Sequence, residues 1–175
     1  TTTIRMITGI LDPDEGDILI DDYSIKDNPI EAKRNFGFVP DNPDIFLKLK
    51  GLEYLNFLAE VYNVSYDERK NRIENLTKKF EIYNELNNNI ESYSHGMRQK
   101  LAIISALIHE PRLLIMDEPF VGLDPTASHL LKDLMRELCM KGGSIFFSTH
   151  VLEVAEKLCD KVAIIKQGRL LRRGS

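Results

Sequence analysis

The chain has 175 residues, a formal net charge of −4 and an isoelectric point near 5.6. A domain of this length buries about 70% of its unfolded surface, so it needs no disulfide or metal to fold. No basic stripe dominates, which argues against a nucleic-acid-binding protein. No apolar run approaches the ~20 residues of a membrane span, and no signal peptide is visible. These properties predict a soluble cytosolic domain that would serve a membrane only through a partner.

The two cysteines, Cys139 and Cys159, have neither zinc-ligand spacing nor the density of a disulfide framework. Both lie beside leucines in helical patterns. They are therefore predicted to be buried thiols in a reducing compartment.

The N-terminal region begins with a helical pattern and continues into two predicted strands. The apolar positions on one side of the helix are Ile4, Ile7, Ile10 and Leu11. Apolar and polar residues alternate over residues 17–21 and again at Phe36 and Phe38, with Pro40 closing the second strand. Such alternation predicts half-exposed strands, here in an antiparallel edge sheet.

The middle of the chain, residues 51–108, has a mainly helical pattern with leucines repeating at spacings of three and four. Ser65 and Glu68 have the spacing of a capping box at a helix start. Residues 81–91 are rich in asparagine and are predicted to form a loop region.

An acidic pair follows a short apolar run at residues 113–116. A run of this length suits a parallel strand buried on both faces. Asp117 and Glu118 would then lie at the sheet edge where open α/β folds hold their ligands. One carboxylate there can hold Mg²⁺ directly or through water, and the next can polarise an attacking water. By itself, Asp-Glu-Pro is better explained as a turn.

Strands and helices alternate after the acidic pair. Asp124 and Pro125 begin a helix, and the glycine pair at 142–143 ends it. Further strands are predicted at residues 144–148, 162–165 and 169–171. The alternation over residues 112–165 predicts a parallel core.

Four segments occur in a fixed order: YSHGMRQ before a helix, then LLIMDEP, GLDP and FFSTH. In this order they resemble the ATP-binding cassette (ABC) ATPases, the motor subunits of ABC transporters. The likeness extends from the first residue to about Arg172. It implies an α/β fold of the P-loop NTPase type, with a parallel core sheet, an antiparallel edge sheet and a helical subdomain. Residues 1–40 and 109–175 would form the catalytic core, and about 51–108 the helical subdomain.

In this family the phosphate-binding loop ends in Gly-Lys followed by Ser or Thr, and the next helix is similar to TTTIRMITGIL. The resemblance implies that the sequence begins just after that Gly-Lys, so the glycine loop and its lysine are missing. Thr1 and Thr2 would then bind nucleotide, with the Thr1 hydroxyl on Mg²⁺. The alternative is that these threonines are simply a frayed terminus.

The resemblance assigns further roles around the acidic pair. Glu118 would orient or deprotonate the attacking water, Asp117 would hold Mg²⁺, and His150 would contact the γ-phosphate. Asp124 would belong to the loop that links the two sites of a dimer, although a helix cap explains it equally well. Asp41 stands where the family usually has a glutamine, so either it reaches the metal through water or it only forms a turn.

The signature sequence of the family is usually Leu-Ser-Gly-Gly-Gln, and here it reads YSHGM. Ser94 and Gly96 are retained at a helix start, where a hydroxyl and free N–H groups can meet a phosphate. His95 and Met97 depart from the pattern. In the family the signature serves ATP held by the opposite protomer, so a head-to-tail dimer is implied, with ATP and Mg²⁺ as its ligands.

The resemblance implies a subunit that binds and hydrolyses ATP to power an ABC transporter, and it is most similar to the exporter group. The partner would be a transmembrane permease at the inner face of the cell membrane. Ile45, Phe46 and Leu47 would either receive it or be buried under the helical subdomain. One alternative is a soluble ABC ATPase acting on ribosomes or DNA. Another is an inactive cassette fragment, because the 175 residues contain no glycine loop or lysine to cradle the phosphates.

Overall fold

The structure is a computed structural model that describes residues 1–43 and 46–174. The helices are α1 (Thr2–Ile7), α2 (Pro29–Arg34), α3 (Gly51–Val61), α4 (Tyr66–Lys79), α5 (His95–Leu107), α6 (Pro125–Met140) and α7 (Leu152–Leu158). The strands are β1 (Leu19–Ile20), β2 (Tyr23–Ser24), β3 (Phe36–Val39), β4 (Leu113–Asp117), β5 (Ser144–Ser148), β6 (Val162–Lys166) and β7 (Arg169–Gly174). Across these described residues, no helix is both long and apolar enough to cross a membrane.

The centre of the fold is a three-stranded parallel sheet in the order β3-β4-β5. Val39 pairs with Met116, and Asp117 pairs with Ser148. Leu114, Ile115 and Met116 are fully buried, because helices cover both faces of β4. The sequence-based prediction of a parallel strand buried on both faces before the acidic pair is confirmed.

The prediction that Phe36 and Phe38 belong to an antiparallel edge sheet is wrong. They lie in β3, which pairs in parallel with β4. The intervening Gly37 is not a solvent-facing position, because α5 packs directly on it and the Ala106 carbonyl lies where a side chain would begin. The antiparallel edge is instead the short pair β1 and β2, in which Ile20 pairs with Tyr23.

The parallel core also ends one strand earlier than predicted. In the described structure β6 pairs with β7 in an antiparallel hairpin and is not hydrogen-bonded to the three-stranded sheet. Gln167 and Gly168 connect the two strands, and both have positive φ, at 50° and 73°. Two such residues between strands match the right-handed strand twist and form a tight hairpin.

Three local predictions are also corrected. Helix α1 ends at Ile7, before Gly9 with its φ of +66°, and Ile10 is exposed. The Ser65 hydroxyl donates to Glu68 Oε2 at 2.6 Å and does not accept a backbone N–H, so the capping box is incomplete. Cys139 is exposed, because it falls on the outer side of α6.

His109 joins the helical region to the sheet. It follows α5, stacks on Tyr62 with ring centroids 3.7 Å apart, and donates from Nε2 to the Phe36 carbonyl at 3.2 Å. Its buried Nδ1 has no hydrogen-bond partner among the residues described. Burial lowers the pKa of His109 to about 4, with the Arg72 charge contributing, although the Phe36 carbonyl opposes the shift. The folded protein therefore keeps His109 neutral.

We expect His109 to make stability depend on pH. The pKa of His109 in the folded protein lies below its value of about 6.5 in the unfolded chain. Between these two pKa values the unfolded chain binds more protons than the folded protein. The free energy of unfolding therefore falls as the pH drops from about 6.5 to about 4. The loss from this one residue between about pH 7 and about pH 4.5 is about 2 kcal/mol. Urea unfolding at both pH values should show that His109→Phe, which keeps the aromatic stack, reduces the difference by this amount. His129→Gln, at an exposed histidine, should leave the difference unchanged, and a His109→Phe result equal to wild type would contradict the assignment.

Candidate nucleotide site

The parallel strands bring the predicted polar residues to one edge of the sheet. Asp117 is the last residue of β4, and Asp41 and His150 come two residues after the ends of β3 and β5. Because the three strands are parallel and in register at their carboxyl ends, these residues emerge from the same edge. This is the edge at which open α/β sheets bind ligands.

Asp117 is the buried member of the acidic pair, with a side chain only 2% exposed. Its Oδ1 accepts a hydrogen bond from the Ser148 hydroxyl at 2.5 Å. The same hydroxyl accepts the backbone N–H of Glu118 at 3.0 Å. A buried carboxylate needs such a donor, because an unpaired charge in a dry site is costly.

Glu118 and His150 form the open part of the site. Glu118 Oε2 lies 3.0 Å from His150 Nδ1, and His150 is 73% exposed. An ionised carboxylate only accepts hydrogen bonds, so a hydrogen bond across this contact requires a proton on Nδ1. The pair thus combines a proton acceptor with an imidazole whose second nitrogen takes no part in this contact.

The N-terminal threonines lie beside the acidic edge. The Thr1 nitrogen is 3.6 Å from Asp117 Oδ1, and α1 packs near β4. Thr1 is the N-cap residue of α1, without a side-chain capping bond, and Thr2 is the exposed first residue of that helix. Thr1 and Asp117 are therefore neighbours, as the resemblance implied.

The donor set suits a magnesium ion that also binds phosphate. Within residues 1–43 and 46–174, no group of three or more His, Cys, Asp or Glu side chains could form a metal site by itself. Mg²⁺ usually takes one or two carboxylates together with waters and substrate phosphates. Asp117 next to the hydroxyl-bearing Thr1 fits that pattern, and Asp41 is exposed at the same edge.

The signature residues form a second group at the start of α5. Ser94 is the N-cap and accepts the Met97 N–H at 3.2 Å. A Cβ on Gly96 would come 2.9 Å from the Gly122 carbonyl oxygen, and a Cβ on Gly122 would come 2.4 Å from the His95 ring. The two glycines therefore allow the signature to pack closely on the loop that follows the acidic pair.

Polar contacts also fasten α5 to that loop. Lys100 Nζ lies 2.7 Å from Asp124 Oδ2, and the Gln99 side chain donates to the Pro119 carbonyl at 3.4 Å. Asp124 caps α6 by accepting the Ala127 N–H at 2.8 Å, as the helix-cap interpretation predicted. The Lys100 hydrogen bond, followed by the bond from Ala127, lowers the pKa of Asp124. Gln99 and Lys100 therefore fasten the two ends of the acidic loop, at Pro119 and Asp124, to the signature helix.

The predicted residues thus fall into two groups. At the acidic edge, Thr1 lies near Asp117, and Glu118 contacts His150. Beyond it, Gly96 packs on the loop, Asp124 belongs to that loop, and Ser94 caps the signature helix. Ser148 and Lys100, which bond to Asp117 and Asp124, had no predicted role. Ser148 was within the quoted FFSTH segment, but only its register opposite Asp117 reveals the contact.

A broad cleft lies elsewhere, at the amino ends of β4 and β5, where Arg112, Leu113 and Ser144 line it. This edge is opposite the acidic pair. Concavity alone would therefore point away from the residues whose chemistry suits a phosphate ligand.

A parallel α/β sheet with a buried aspartate, a following glutamate and a histidine at its carboxyl edge is the arrangement of a P-loop-type nucleoside triphosphatase. The sequence model of the family described as "ABC transporter" matches residues 1–121. The ABC transporter ATP-binding protein NatA of Bacillus subtilis is 35% identical over 176 aligned residues, which cover 100% of this chain and 72% of NatA. The chain belongs to the ABC transporter ATP-binding family.

Solved structures agree with this family and confirm the fold class. A structure described as an ATP-binding subunit of an ABC transporter has a TM-score of 0.94 and 38% identity, over 99% of this chain and 72% of that one. The dimeric ATP-binding cassette MJ0796, bound to ADP and Pi, has a TM-score of 0.85 and 26% identity, over 99% and 78% of the two chains. The chain is thus similar both to transporter ATP-binding subunits and to a cassette that holds the products of ATP hydrolysis.

Proposed function

We propose that the acidic edge hydrolyses Mg-ATP and that hydrolysis drives a transporter in the export direction. The observation that supports this most is the contact of Glu118 with His150 beside the buried Asp117. Relatives are named as ABC transporter ATP-binding proteins, which favours transport over a role on ribosomes or DNA. The exporter subtype rests on the likeness of the TIRMITGIL helix, the FVPDNPD connector and the YSHGM signature.

In the proposed mechanism each residue of the edge has a separate task. Glu118 orients the attacking water and accepts its proton as the water oxygen bonds to the γ-phosphorus. The bond from the γ-phosphorus to the bridging oxygen breaks in the same step, and ADP leaves with that oxygen. A protonated His150 donates from Nδ1 to Glu118 and from Nε2 to a γ-phosphate oxygen. Asp117 and Thr1 would hold Mg²⁺, with Asp41 reaching it through water. The ion supplies charge neutralisation on the phosphates.

The second group of residues would serve a neighbouring copy. Ser94 and Gly96, at the start of the 13-residue α5, would meet the phosphates of ATP bound to the opposite protomer of a head-to-tail dimer. Asp124 would report the state of that contact to the acidic loop, because Lys100 of α5 pairs with it. The dimeric state of MJ0796 supports such a pair.

A transmembrane permease would dock near the connector that follows β3. Phe46 is 59% exposed and packs against Phe57 and Tyr54, with centroids 5.8 Å and 6.1 Å away. Leu47 is half-buried, and Ile45 lies outside the described residues. Exposed aromatic side chains beside a helical surface suit a protein partner. The protein would then work on the cytoplasmic side of the cell membrane, bound to the permease.

The experiment that tests the proposal compares Mg-ATP hydrolysis by the 175-residue chain with hydrolysis by an extended protein that carries a glycine loop and lysine before Thr1. We expect steady phosphate release from the extended protein. The 175 residues alone should bind ATP weakly and release little phosphate, because the backbone N–H groups and lysine that cradle the phosphates are not among them.

Two results would change this account. Robust turnover by the 175 residues alone would contradict the need for the glycine loop. An extended protein that binds no ATP and stays monomeric would indicate a degenerate cassette with a scaffolding role, in line with the departures at Asp41, His95 and Met97.

A further inference from the structure

The Ser148 hydroxyl hydrogen-bonds to both residues of the acidic pair. Ser148 is the last residue of β5 and pairs in register with Asp117. Its hydroxyl donates to Asp117 Oδ1 at 2.5 Å and accepts the backbone N–H of Glu118 at 3.0 Å. A carboxylate only accepts and an N–H only donates, so these partners fix the direction of both bonds. The hydroxyl is therefore held in a single orientation.

The backbone at Glu118 gives this contact a particular consequence. Glu118 has a φ of 48°, in the left-handed region that non-glycine residues seldom adopt. This turn directs the side chain so that Oε2 reaches His150 Nδ1 at 3.0 Å. The bond from the Glu118 N–H to Ser148 stabilises the turn at the residue where its backbone is strained.

We infer that Ser148 is a positioning residue for ATP hydrolysis, which sets the Asp117 carboxylate and the Glu118 turn in a fixed relation to each other. This inference rests on the proposed function. The hydroxyl does not touch the nucleotide in this role. It links the residue proposed to hold the metal with the residue proposed to activate water, and it couples them to the strand that leads to His150.

The inference predicts an effect on turnover and on metal affinity rather than on nucleotide affinity. A small displacement of a catalytic group costs up to about 100-fold in rate. Loss of a side chain that orients a metal ligand weakens metal binding by about 10-fold or more. ATP affinity should change little, because the Ser148 hydroxyl is already taken up by Asp117 and the Glu118 N–H and is not proposed to contact the nucleotide.

The test uses two variants of equal shape in the natural protein that hydrolyses ATP. Ser148→Thr keeps the hydroxyl, and Ser148→Val has the same branched shape without it, and both suit a strand. Ser148→Ala removes the hydroxyl without adding a methyl group. Ser144→Ala, at the exposed first residue of β5, is the matched control. The readouts are kcat and KM for Mg-ATP and the affinity of the ADP-bound protein for Mn²⁺, measured by electron paramagnetic resonance.

We expect the Val and Ala variants to lose about 10- to 100-fold in kcat with little change in KM, and to bind Mn²⁺ about 10-fold more weakly. The Thr variant should stay within about threefold of wild type, since its hydroxyl can make the same bonds. Equal kcat and Mn²⁺ affinity in the Thr and Val variants, whether both normal or both impaired, would overturn the inference while the proposed function stands. Wild-type protein that does not hydrolyse ATP would remove the proposed function and this inference together.

Discussion

Replacing Glu118 with glutamine should reduce phosphate release by about 100-fold or more, because an amide cannot accept the proton of the attacking water. Glutamine has the same shape and keeps an oxygen that can accept from His150 Nδ1. ATP binding should therefore persist. Binding without turnover should also trap the ATP-bound dimer, which gel filtration with light scattering would detect.

Glu110→Gln is a matched control for this prediction. Glu110 lies before β4, and Glu118 lies just after it. The φ angle of Glu110 is 52°, which is close to the 48° of Glu118. Its carboxylate pairs with Arg72 at the protein surface, where an ion pair contributes little. The control should keep wild-type turnover. Equal losses in the two variants would mean that Glu118 acts through backbone or charge effects and not as the base.

Replacing Gly37 with alanine should cost about 3 kcal/mol of unfolding free energy or prevent folding. The added Cβ would lie 2.1 Å from the Ala106 carbonyl oxygen and 3.1 Å from the Pro111 ring. The nearer contact is with the backbone of α5, which cannot move aside as a flexible side chain could. Strand β3 and α5 would therefore have to separate, which exposes Phe36 and the core around it.

Urea unfolding monitored by circular dichroism would measure this loss. Gly174→Ala is the control, because Gly174 also lies in a strand and has open space where its Cβ would stand. The control should unfold near the wild-type midpoint. A Gly37→Ala protein as stable as the control would show that β3 and α5 are not packed as described.

The sequence predicted the features that are encoded locally. The apolar run before Asp117 is too short for a helix and too continuous for a half-exposed strand. It therefore predicts the fully buried strand that the structure has as β4. Asp124 and Pro125 similarly marked the start of α6 through the chemistry of a helix cap. The sequence alone therefore places the acidic pair at a sheet edge.

Features that depend on distant pairing were not predicted. The alternation of Phe36, Gly37 and Phe38 is equally compatible with an edge strand, and only contact with α5 shows that Gly37 is covered. The partner of β6 depends on competition between sheets, which the tight turn at Gln167 decides in favour of β7. The role of Ser148 was invisible because 30 residues separate it from Glu118 and a one-residue change of register would remove the contact.

The most direct test of the nucleotide site is a crystal structure of the natural protein carrying Glu118→Gln, grown with Mg-ATP. We predict a magnesium ion at Asp117, the γ-phosphate between residue 118 and His150, and Ser94 of a second copy against the same phosphate. ATP bound away from the carboxyl edge of β4, or a metal ion remote from Asp117, would contradict the account.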